Sequence, residues 1–346
     1  MVMTMKNKKT FQYYLSKYLT EEMSTNRNCS ANTIASYADT YKLFLSFMKD
    51  VRKTDPNKVS LNDLTRENVN CFLNWMENER KTSITSRNVR LSAMHSFVKY
   101  LQVEDPEHIF EYQKILSIKK KKACSKEVQW LTIEQLKTLL SCIDTDTGDG
   151  LRDKTMISLL YDAALRVEEL MSLKVEDIHF PSCNTVTVLG KGNKKRTIPL
   201  MGNTVELLKK YVKVFDINRK RNHGFETLFF NRSGNKLTRA GVSYIISKYV
   251  EKANGCGANI TIDVHPHVFR HTKAVHLLEA GVELIYIRDF LGHSSVKTTE
   301  IYARVCNKNK VEALEKAYVN IIDKDTKDWT KDDNLMAFLT ELSRKK

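Results

Sequence analysis

The stretch from His265 to Val305 reads HPHVFRHTKAVHLLEAGVELIYIRDFLGHSSVKTTEIYARV and is the most informative part of the chain. We expect helices at about 267–280 and 283–291, with Gly281 well placed to end the first of them. Four of its side chains are candidates for a reactive site, the imidazoles of His267 and His293, the guanidinium of Arg270 and the phenol of Tyr302. Side chains of these types can hold a phosphodiester and attack it.

Basic residues are spread over the whole chain. Residues 1–128 contain 22 Lys and Arg against 14 Asp and Glu, a balance of +8, and residues 129–346 contain 34 against 27, a balance of +7. An even spread of positive charge is expected of a protein that grips a polyanion with its whole body. A solvated basic surface gives the same balance, so charge alone does not decide for nucleic acid.

The seven cysteines indicate a reducing compartment. They are odd in number and form no Cys-x-x-Cys or zinc spacing, which fits free thiols in the cytosol. No apolar run reaches membrane-spanning length, and the Lys-rich segment 1–10 lacks the apolar core of a signal peptide. We expect a cytoplasmic, nucleoid-associated protein with no membrane partner.

The N-terminal part predicts a helical domain. The chain has only 12 Gly and 5 Pro, and apolar residues recur at helical spacing. Helices are expected at about 11–19, 34–48, 65–78 and 83–103, which makes a four- or five-helix domain. On the last of these, Arg87 and Arg90 are expected to face outward. We bound this domain at 1–116.

A lysine-rich segment follows and predicts a linker, 117–129. Its lysines could lie along DNA phosphates or belong to a solvated tether, and the sequence leaves both open; they are Lys119, Lys120, Lys121 and Lys122. Thr132 and Gln135 have capping-box spacing and begin the next domain, which we bound at 130–318.

The second domain combines helices with one predicted hairpin. Residues 185–189 alternate and are rich in β-branched side chains, residues 190–193 form a Gly-Lys-Gly-Asn turn, and residues 194–200 return as a strand. Lys191 would lie at the tip. Further helices are expected at about 133–142, 152–163, 203–216 and 238–253. The predicted fold class is therefore mainly α with a small antiparallel β-hairpin.

Cleaving a phosphodiester without water or metal requires four groups. A nucleophile forms the covalent intermediate, cations bind the non-bridging oxygens, a base takes the proton of the nucleophile, and an acid protonates the leaving oxygen. Arginine suits the cationic role because its planar fork grips two oxygens and keeps its charge. Arg166, which ends an apolar helix, and Lys191 extend the C-terminal set to six candidates.

Each candidate also has an ordinary explanation. Arg166 could pair with Glu168 or Glu169, and Glu169 could instead orient Arg166 for catalysis. Lys191 could be an exposed hairpin lysine, and Tyr302 a core tyrosine. His267 and His271 have the i, i+4 spacing of metal ligands, but no acidic residue or cysteine nearby completes a site. Taken singly, none of the candidates is decisive.

Together the motifs resemble one family, the tyrosine recombinases, which include Xer recombinases, Cre and phage-type integrases. The resemblance covers about residues 10–318. It is carried by Leu165-Arg-Val-Glu-Glu-Leu-Met-Ser-Leu173, Gly190-Lys-Gly-Asn-Lys-Lys-Arg-Thr-Ile-Pro-Leu200, His265-Pro-His-Val-Phe-Arg-His271 and Leu291-Gly-His-Ser-Ser-Val-Lys-Thr-Thr-Glu-Ile-Tyr302. Two helices, around 32–37 and 86–101, resemble the SAM-like core-binding domain of that family. One departure is Ala164, where the family often has glycine.

The resemblance implies a role for each matching residue. Tyr302 would form a 3′-phosphotyrosyl bond and free a 5′-hydroxyl. Arg166 and Arg270 would clamp the phosphate, with Glu169 supporting Arg166. Lys191 would protonate the leaving oxygen. His267 would assist proton transfer at the tyrosine, and His293 would hydrogen-bond the phosphate. No metal or ATP cofactor is implied.

The resemblance also implies partners. The family works as a homotetramer on two double-stranded DNA sites and passes through a Holliday junction. A partner recombinase or an accessory DNA-bending factor is conceivable. A helix around 237–251 would approach the major groove with Arg239, Ser243 and Lys248. The tail, 319–346, ends in an expected amphipathic helix whose residues 335–342 would pack on a neighbouring protomer.

The sequence is compatible with several functions. The leading function is recombination for integration, excision or transposition of a mobile element, and Xer-type dimer resolution is the alternative role. A type IB topoisomerase shares the chemistry, but the helical N-terminal domain and compact motif spacing argue against it. A catalytically inactive DNA-binding accessory factor would not need the full set of six residues. A metal-dependent nuclease lacks an acidic cluster.

Overall fold

The computed structural model describes residues 10–123, 127–180, 184–190, 194–215, 227–293, 295–303 and 333–344. The chain divides into two compact units, Met1–Lys126 and Glu127–Lys346. The chain is mostly helical (66%), and the strands among the described residues form a small three-stranded antiparallel sheet. The predicted fold class, mainly α with a small antiparallel sheet, is therefore confirmed.

The first unit is a bundle of helices with polar N-caps. Ser30, Thr65 and Ser83 each accept a hydrogen bond from a backbone N–H in the first helical turn, which ends the preceding loop and starts the helix. A π-helical segment, Tyr18–Asn26, continues the first helix. The helices are α1 (Phe11–Lys17), α2 (Ala31–Asp50), α3 (Arg66–Asn78), α4 (Ile84–Glu104) and α5 (Ile109–Leu116).

The core of the first unit is aromatic. Phe97 of α4 contacts Phe11 and Tyr41 edge-to-face, with ring centroids 5.9 and 5.2 Å apart. Such pairs stabilise a core by about 1 kcal/mol beyond their area burial. The expectation that Arg87 faces outward is wrong. Its side chain is buried and lies 3.7 Å from the carboxylate of Glu77, because several faces of α4 pack inside the unit.

The second unit consists of helices around the small sheet. Strand β1 (Ile178–His179) pairs with β2 (Thr185–Leu189), which pairs with β3 (Lys195–Pro199) so that Val186 lies opposite Ile198. The helices are α6 (Ile133–Ser141), α7 (Gly148–Asp162), α8 (Val167–Ser172), α9 (Gly202–Val214), α10 (Arg239–Gly255), α11 (Pro266–Glu279), α12 (Leu284–Leu291), α13 (Glu300–Ala303) and α14 (Asp333–Arg344).

Helix α7 is the central element of the second unit. Nearly every residue from Gly150 to Leu160 is buried, and its neighbours include α9 and α11. A buried helix of this kind fixes the backbone that follows it, where Arg166 lies. Helix α8 and strand β1 were not expected from the sequence, because both are too short to show a periodic pattern. Among the described helices, none is both long and apolar enough to span a membrane.

Candidate active site

The chain turns sharply between α7 and α8 and there presents Arg166. Ala164 has a positive φ of 47°, a left-handed conformation that costs a non-glycine residue about 1 kcal/mol. This conformation explains why glycine suits the position in the related motif. The turn makes Arg166 the N-cap of α8, and Glu169 at the third helical position accepts its backbone N–H at 2.8 Å.

Glu169 joins two arginines. Its carboxylate accepts hydrogen bonds from the side chain of Arg166 at 2.7 Å and from both terminal nitrogens of Arg196 at 2.9 and 2.8 Å. Burial would raise the pKa of Glu169, but the bonds from Arg196 and Arg166 outweigh it and lower this pKa to about 2. The carboxylate is therefore ionised and is hydrogen-bonded to both Arg166 and Arg196.

Arg270 is held by the main chain. Its guanidinium donates to the carbonyl of Ala164 at 2.8 Å and to the carbonyl of Leu291, and only 3% of the residue is exposed. Burial, and then the neighbouring charge of Arg166, lower the pKa of Arg270. Neutral carbonyls do not compensate a buried cation fully, so an anion bound beside Arg270 would be favoured.

His293 follows a left-handed glycine. Gly292 ends α12 with φ 63°, and a Cβ built there would lie 3.0 Å from Cδ of Arg196. His293 Nδ1 lies 3.0 Å from the hydroxyl of Thr299. Burial, followed by the charges of three arginines, lowers the pKa of His293 to about 4, so the ring is neutral at pH 7; the arginines are Arg270, Arg166 and Arg196.

Tyr302 lies on the short helix α13 with its side chain turned inward, and 1% of it is exposed. Its hydroxyl is 2.8 Å from Nδ1 of His271. Burial raises the pKa of Tyr302, while the charges of Arg270 and Arg166 act in the opposite direction. Tyr302 also packs in one cluster with Ala164 and Leu291, the residues whose carbonyls hold Arg270.

His267 stands at an exposed edge of the same region. His267 lines a cleft of about 190 Å³. The other residues that line it are Val167, Arg239, Ser243, His265 and Pro266. Two of the residues predicted to approach DNA, Arg239 and Ser243, therefore lie beside His267. Lys248, the third, is exposed further along α10 and stacks on the ring of Tyr249.

The remaining predicted residues lie elsewhere. Lys191 falls outside the described residues. The four linker lysines are exposed in the first unit, where Lys121 pairs with Glu77. Arg90 pairs with Asp39 at 2.6 Å. Among the described residues, no group of three His, Cys, Asp or Glu side chains is arranged to hold a metal ion.

Two side chains in this region were not assigned a role from the sequence. Arg196 belongs to the Lys-Lys-Arg-Thr-Ile-Pro return strand, and His271 directly follows Arg270. Both stand inside the motifs that carry the family resemblance, and that position was the available signal. Arg196 is hydrogen-bonded to Glu169, and His271 contacts Tyr302, so both belong to the group of side chains around Arg270.

The group carries surplus positive charge. Three guanidinium groups, on Arg166, Arg196 and Arg270, stand against the single carboxylate of Glu169, which leaves a formal balance of 3 − 1 = +2 among these described side chains. A half-buried cluster with this balance is suited to a phosphate group.

Comparison with known proteins identifies the class. The model of the phage integrase family matches residues 129–309, and that of the phage integrase N-terminal SAM-like domain matches residues 16–105. The chain belongs to the phage integrase family, that is, to the tyrosine recombinases, which are enzymes of site-specific DNA cleavage and rejoining. The resemblance stated from the sequence motifs is thereby confirmed.

Individual relatives cover most of the chain. It is 32% identical over 333 residues to the integrase/recombinase y4rC of Sinorhizobium fredii, covering 95% of this chain and 97% of the relative. It is 31% identical over 299 residues to tyrosine recombinase XerC of Staphylococcus aureus, covering 86% and 93%.

Two solved structures share the fold. One is the XerH site-specific recombinase bound to a palindromic difH substrate, with a TM-score of 0.63, 22% identity and coverage of 87% of this chain and 84% of that one. The other is the Tn1549 transposon integrase in complex with circular intermediate DNA, with a TM-score of 0.65, 16% identity and coverage of 88% and 99%.

Proposed function

We propose that this chain cleaves and rejoins DNA at specific sites through a covalent bond between Tyr302 and a 3′-phosphate. The observation that carries the proposal is that Tyr302 packs against Ala164 and Leu291, the two residues whose carbonyls hold Arg270, beside a group of side chains with surplus positive charge. Arg166 and Arg270 bind the non-bridging oxygens, where charge develops in the transition state. Glu169 keeps Arg166 in place, and His293 donates a hydrogen bond to the phosphate.

The covalent bond stores the energy of the phosphodiester, so rejoining needs neither ATP nor a metal. Lys191 is proposed as the acid that protonates the leaving 5′-oxygen, on the strength of its motif. The strands exchange in pairs through a Holliday junction within a homotetramer, with or without a partner recombinase or DNA-bending factor. The leading role is recombination of a mobile element, and the alternative role is Xer-type dimer resolution. Proteins named as integrases support the first role, and a protein named XerC supports the second.

Each of the two units has its own proposed DNA-binding surface. In the second unit it contains the cleft beside His267, with Arg239 and Ser243, and continues to Lys248 on α10. In the first unit it contains exposed or half-buried cations, namely Arg90, Lys119, Lys120, Lys121 and Lys122. The burial of Arg87 argues against direct contact between this side chain and DNA. A DNA-bound enzyme of this kind would be associated with the nucleoid.

The C-terminal helix is proposed to dock on a second copy of this chain. Four apolar side chains of α14 are 42–57% exposed on one short helix, and they are Met336, Phe338, Leu339 and Leu342. Exposed apolar faces of this kind mark interaction surfaces. A neighbouring protomer on the same DNA is the partner that a recombinase assembly supplies.

The first experiment uses a nicked suicide duplex containing the native site, taken from DNA that flanks the gene. Wild type and Tyr302→Phe are incubated with it in EDTA and run on a denaturing gel. We expect a covalent protein–DNA band from wild type alone. Strand transfer to a second duplex then distinguishes a recombinase from a topoisomerase. Tight DNA binding without a covalent band from either protein would favour the accessory-factor function.

A further inference from the structure

His271 is the side chain in contact with the proposed nucleophile. Its Nδ1 lies 2.8 Å from the hydroxyl of Tyr302, and the two ring centroids are 5.6 Å apart. In the part of the chain that the structure describes, no second hydrogen bond to this hydroxyl is made, and His267 is not its partner. His271, which directly follows Arg270, therefore contacts the oxygen atom that would attack the phosphate.

The direction of this hydrogen bond follows from the protonation states. Burial, and then the charges of His267, His265 and Arg270, lower the pKa of His271 to about 4, so the ring is neutral at pH 7. Burial raises the pKa of Tyr302, so the phenol keeps its proton. The buried phenol has His271 as its acceptor among the described groups, so the hydroxyl donates and Nδ1 accepts.

We propose that His271 is a catalytic residue that takes the proton of Tyr302 during cleavage. The inference rests on the proposed function. As the Tyr302 oxygen bonds to phosphorus, its proton passes to Nδ1 of His271, and the bond from phosphorus to the 5′-oxygen breaks. The leaving oxygen takes a proton from the acid. In rejoining, the 5′-hydroxyl gives its proton back to the deprotonated acid as its oxygen attacks phosphorus, the bond from phosphorus to the Tyr302 oxygen breaks, and His271 returns its proton to that oxygen.

The surroundings link this proton transfer to DNA binding. Without a bound phosphate, the positive charges near His271 disfavour protonation of its ring. Among these groups, Arg270 keeps its charge permanently. A phosphodiester held by Arg166 and Arg270 brings a negative charge to the same place and offsets this effect. The tyrosine is therefore activated when a phosphate is bound and keeps its proton otherwise.

The test measures the single-turnover rate of covalent complex formation on the nicked duplex. In His271→Asn the amide can keep a hydrogen bond to Tyr302 but cannot take its proton, so we expect a rate about 100-fold below wild type. His276→Asn is the matched control. His276 lies on the same helix and its Nδ1 is 3.0 Å from the hydroxyl of Tyr161, so the same substitution alters a similar contact away from the reacting atoms. Its rate should stay within about threefold of wild type.

A second measurement separates proton transfer from a purely structural contribution. Tyr302 is replaced by a ring-fluorinated tyrosine, whose lower phenol pKa reduces the need for a base. The defect of His271→Asn should then shrink from about 100-fold to less than about tenfold, because the acceptor matters less for an acidic phenol. The same replacement should leave the defect of His267→Asn unchanged.

The outcomes distinguish this inference from the proposed function. A covalent band from Tyr302→Phe would overturn the proposed function itself. If Tyr302→Phe is inactive but His271→Asn keeps the wild-type rate, the inference alone is wrong. It is also wrong if fluorination leaves the His271→Asn defect at full size, or rescues His267→Asn in its place.

Discussion

Glu169 and Arg196 form a two-point ion pair, in which both terminal nitrogens of the guanidinium donate to the two carboxylate oxygens at 2.9 and 2.8 Å. The same carboxylate binds the side chain and backbone N–H of Arg166. Strand β3 thereby fixes the carboxylate that orients the first arginine of the clamp. The hairpin acts on the site through this pair as well as through the lysine proposed at its tip.

Loss of the Glu169 charge should destabilise the second unit strongly. Glu169→Gln leaves Arg196, which is largely buried, without its anion, and breaking one partner of a buried pair costs about 3 kcal/mol. Urea unfolding gives the change in the free energy of unfolding. Glu168→Gln is the control, since Glu168 pairs with Arg239 at an exposed position and should change stability by less than about 0.5 kcal/mol. Equal effects of the two variants would contradict this account of Glu169.

Gly292→Ala should impair both stability and cleavage. The left-handed conformation costs alanine about 1 kcal/mol, and the new Cβ would also press on Arg196. Gly281→Ala is the matched control, because φ is 84° there and nothing lies within 4 Å of the added carbon. It should lose about 1 kcal/mol and cleave DNA normally. Thermal unfolding and the suicide-duplex assay measure the two effects, and normal cleavage by Gly292→Ala would refute the proposed contact.

Stability should decrease as the pH falls from about 7 to about 4. His271 and His293 have pKa values near 4 in the folded chain and near 6.5 when unfolded, so the unfolded chain binds protons first in this window. The contribution of the two histidines to the free energy of unfolding is complete above their unfolded pKa. It is lost as the pH falls towards their folded pKa. Glu169 acts at lower pH, because its folded pKa of about 2 lies below an ordinary value of 4.5.

The measurement is the urea midpoint of wild type and His293→Gln between pH 7.5 and 4.5. The variant should show a weaker dependence on pH, because one of the two rings whose pKa is lowered to about 4 is gone. Parallel curves would show that His293 does not titrate differently in the folded and unfolded chain.

Removal of residues 330–346 should weaken assembly on DNA more than binding to a single site. The deletion removes α14, whose exposed apolar face is proposed to bind a neighbouring protomer. Gel mobility shifts on duplexes with one and two binding elements measure both steps. Phe338→Ser should reproduce the effect, while Thr340→Ser on the same helix should not. Equal loss of single-site binding and assembly would exclude docking between protomers.

The sequence predicted most helices and the family, but not the contacts that complete the candidate site. Helices such as α2 and α3 were predictable because each buries one face and therefore shows a regular apolar spacing. The Glu169–Arg196 pair joins residues 27 positions apart and depends on how the hairpin docks. His271 and His267 are the same residue type within one motif, so only the folded backbone shows which of them meets Tyr302.

Arg87 shows the opposite case. Its helix has buried residues on several faces, so the apolar spacing did not define an outer side on which an arginine would be exposed. A charged residue in such a helix can be buried when a carboxylate is near, and Glu77 supplies one. That pairing joins α3 to α4 and could not be read from either helix alone.

Arg270 is held by carbonyl groups that every amino acid possesses. The carbonyls of Ala164 and Leu291 belong to the segments that lead directly to Arg166 and to His293. Substitution of those two side chains would leave the anchoring atoms in place, whereas a shift of either chain segment would carry Arg270 with it. The geometry of the clamp is thus inherited from the path of the backbone, and sequences can diverge widely around it without losing the arrangement.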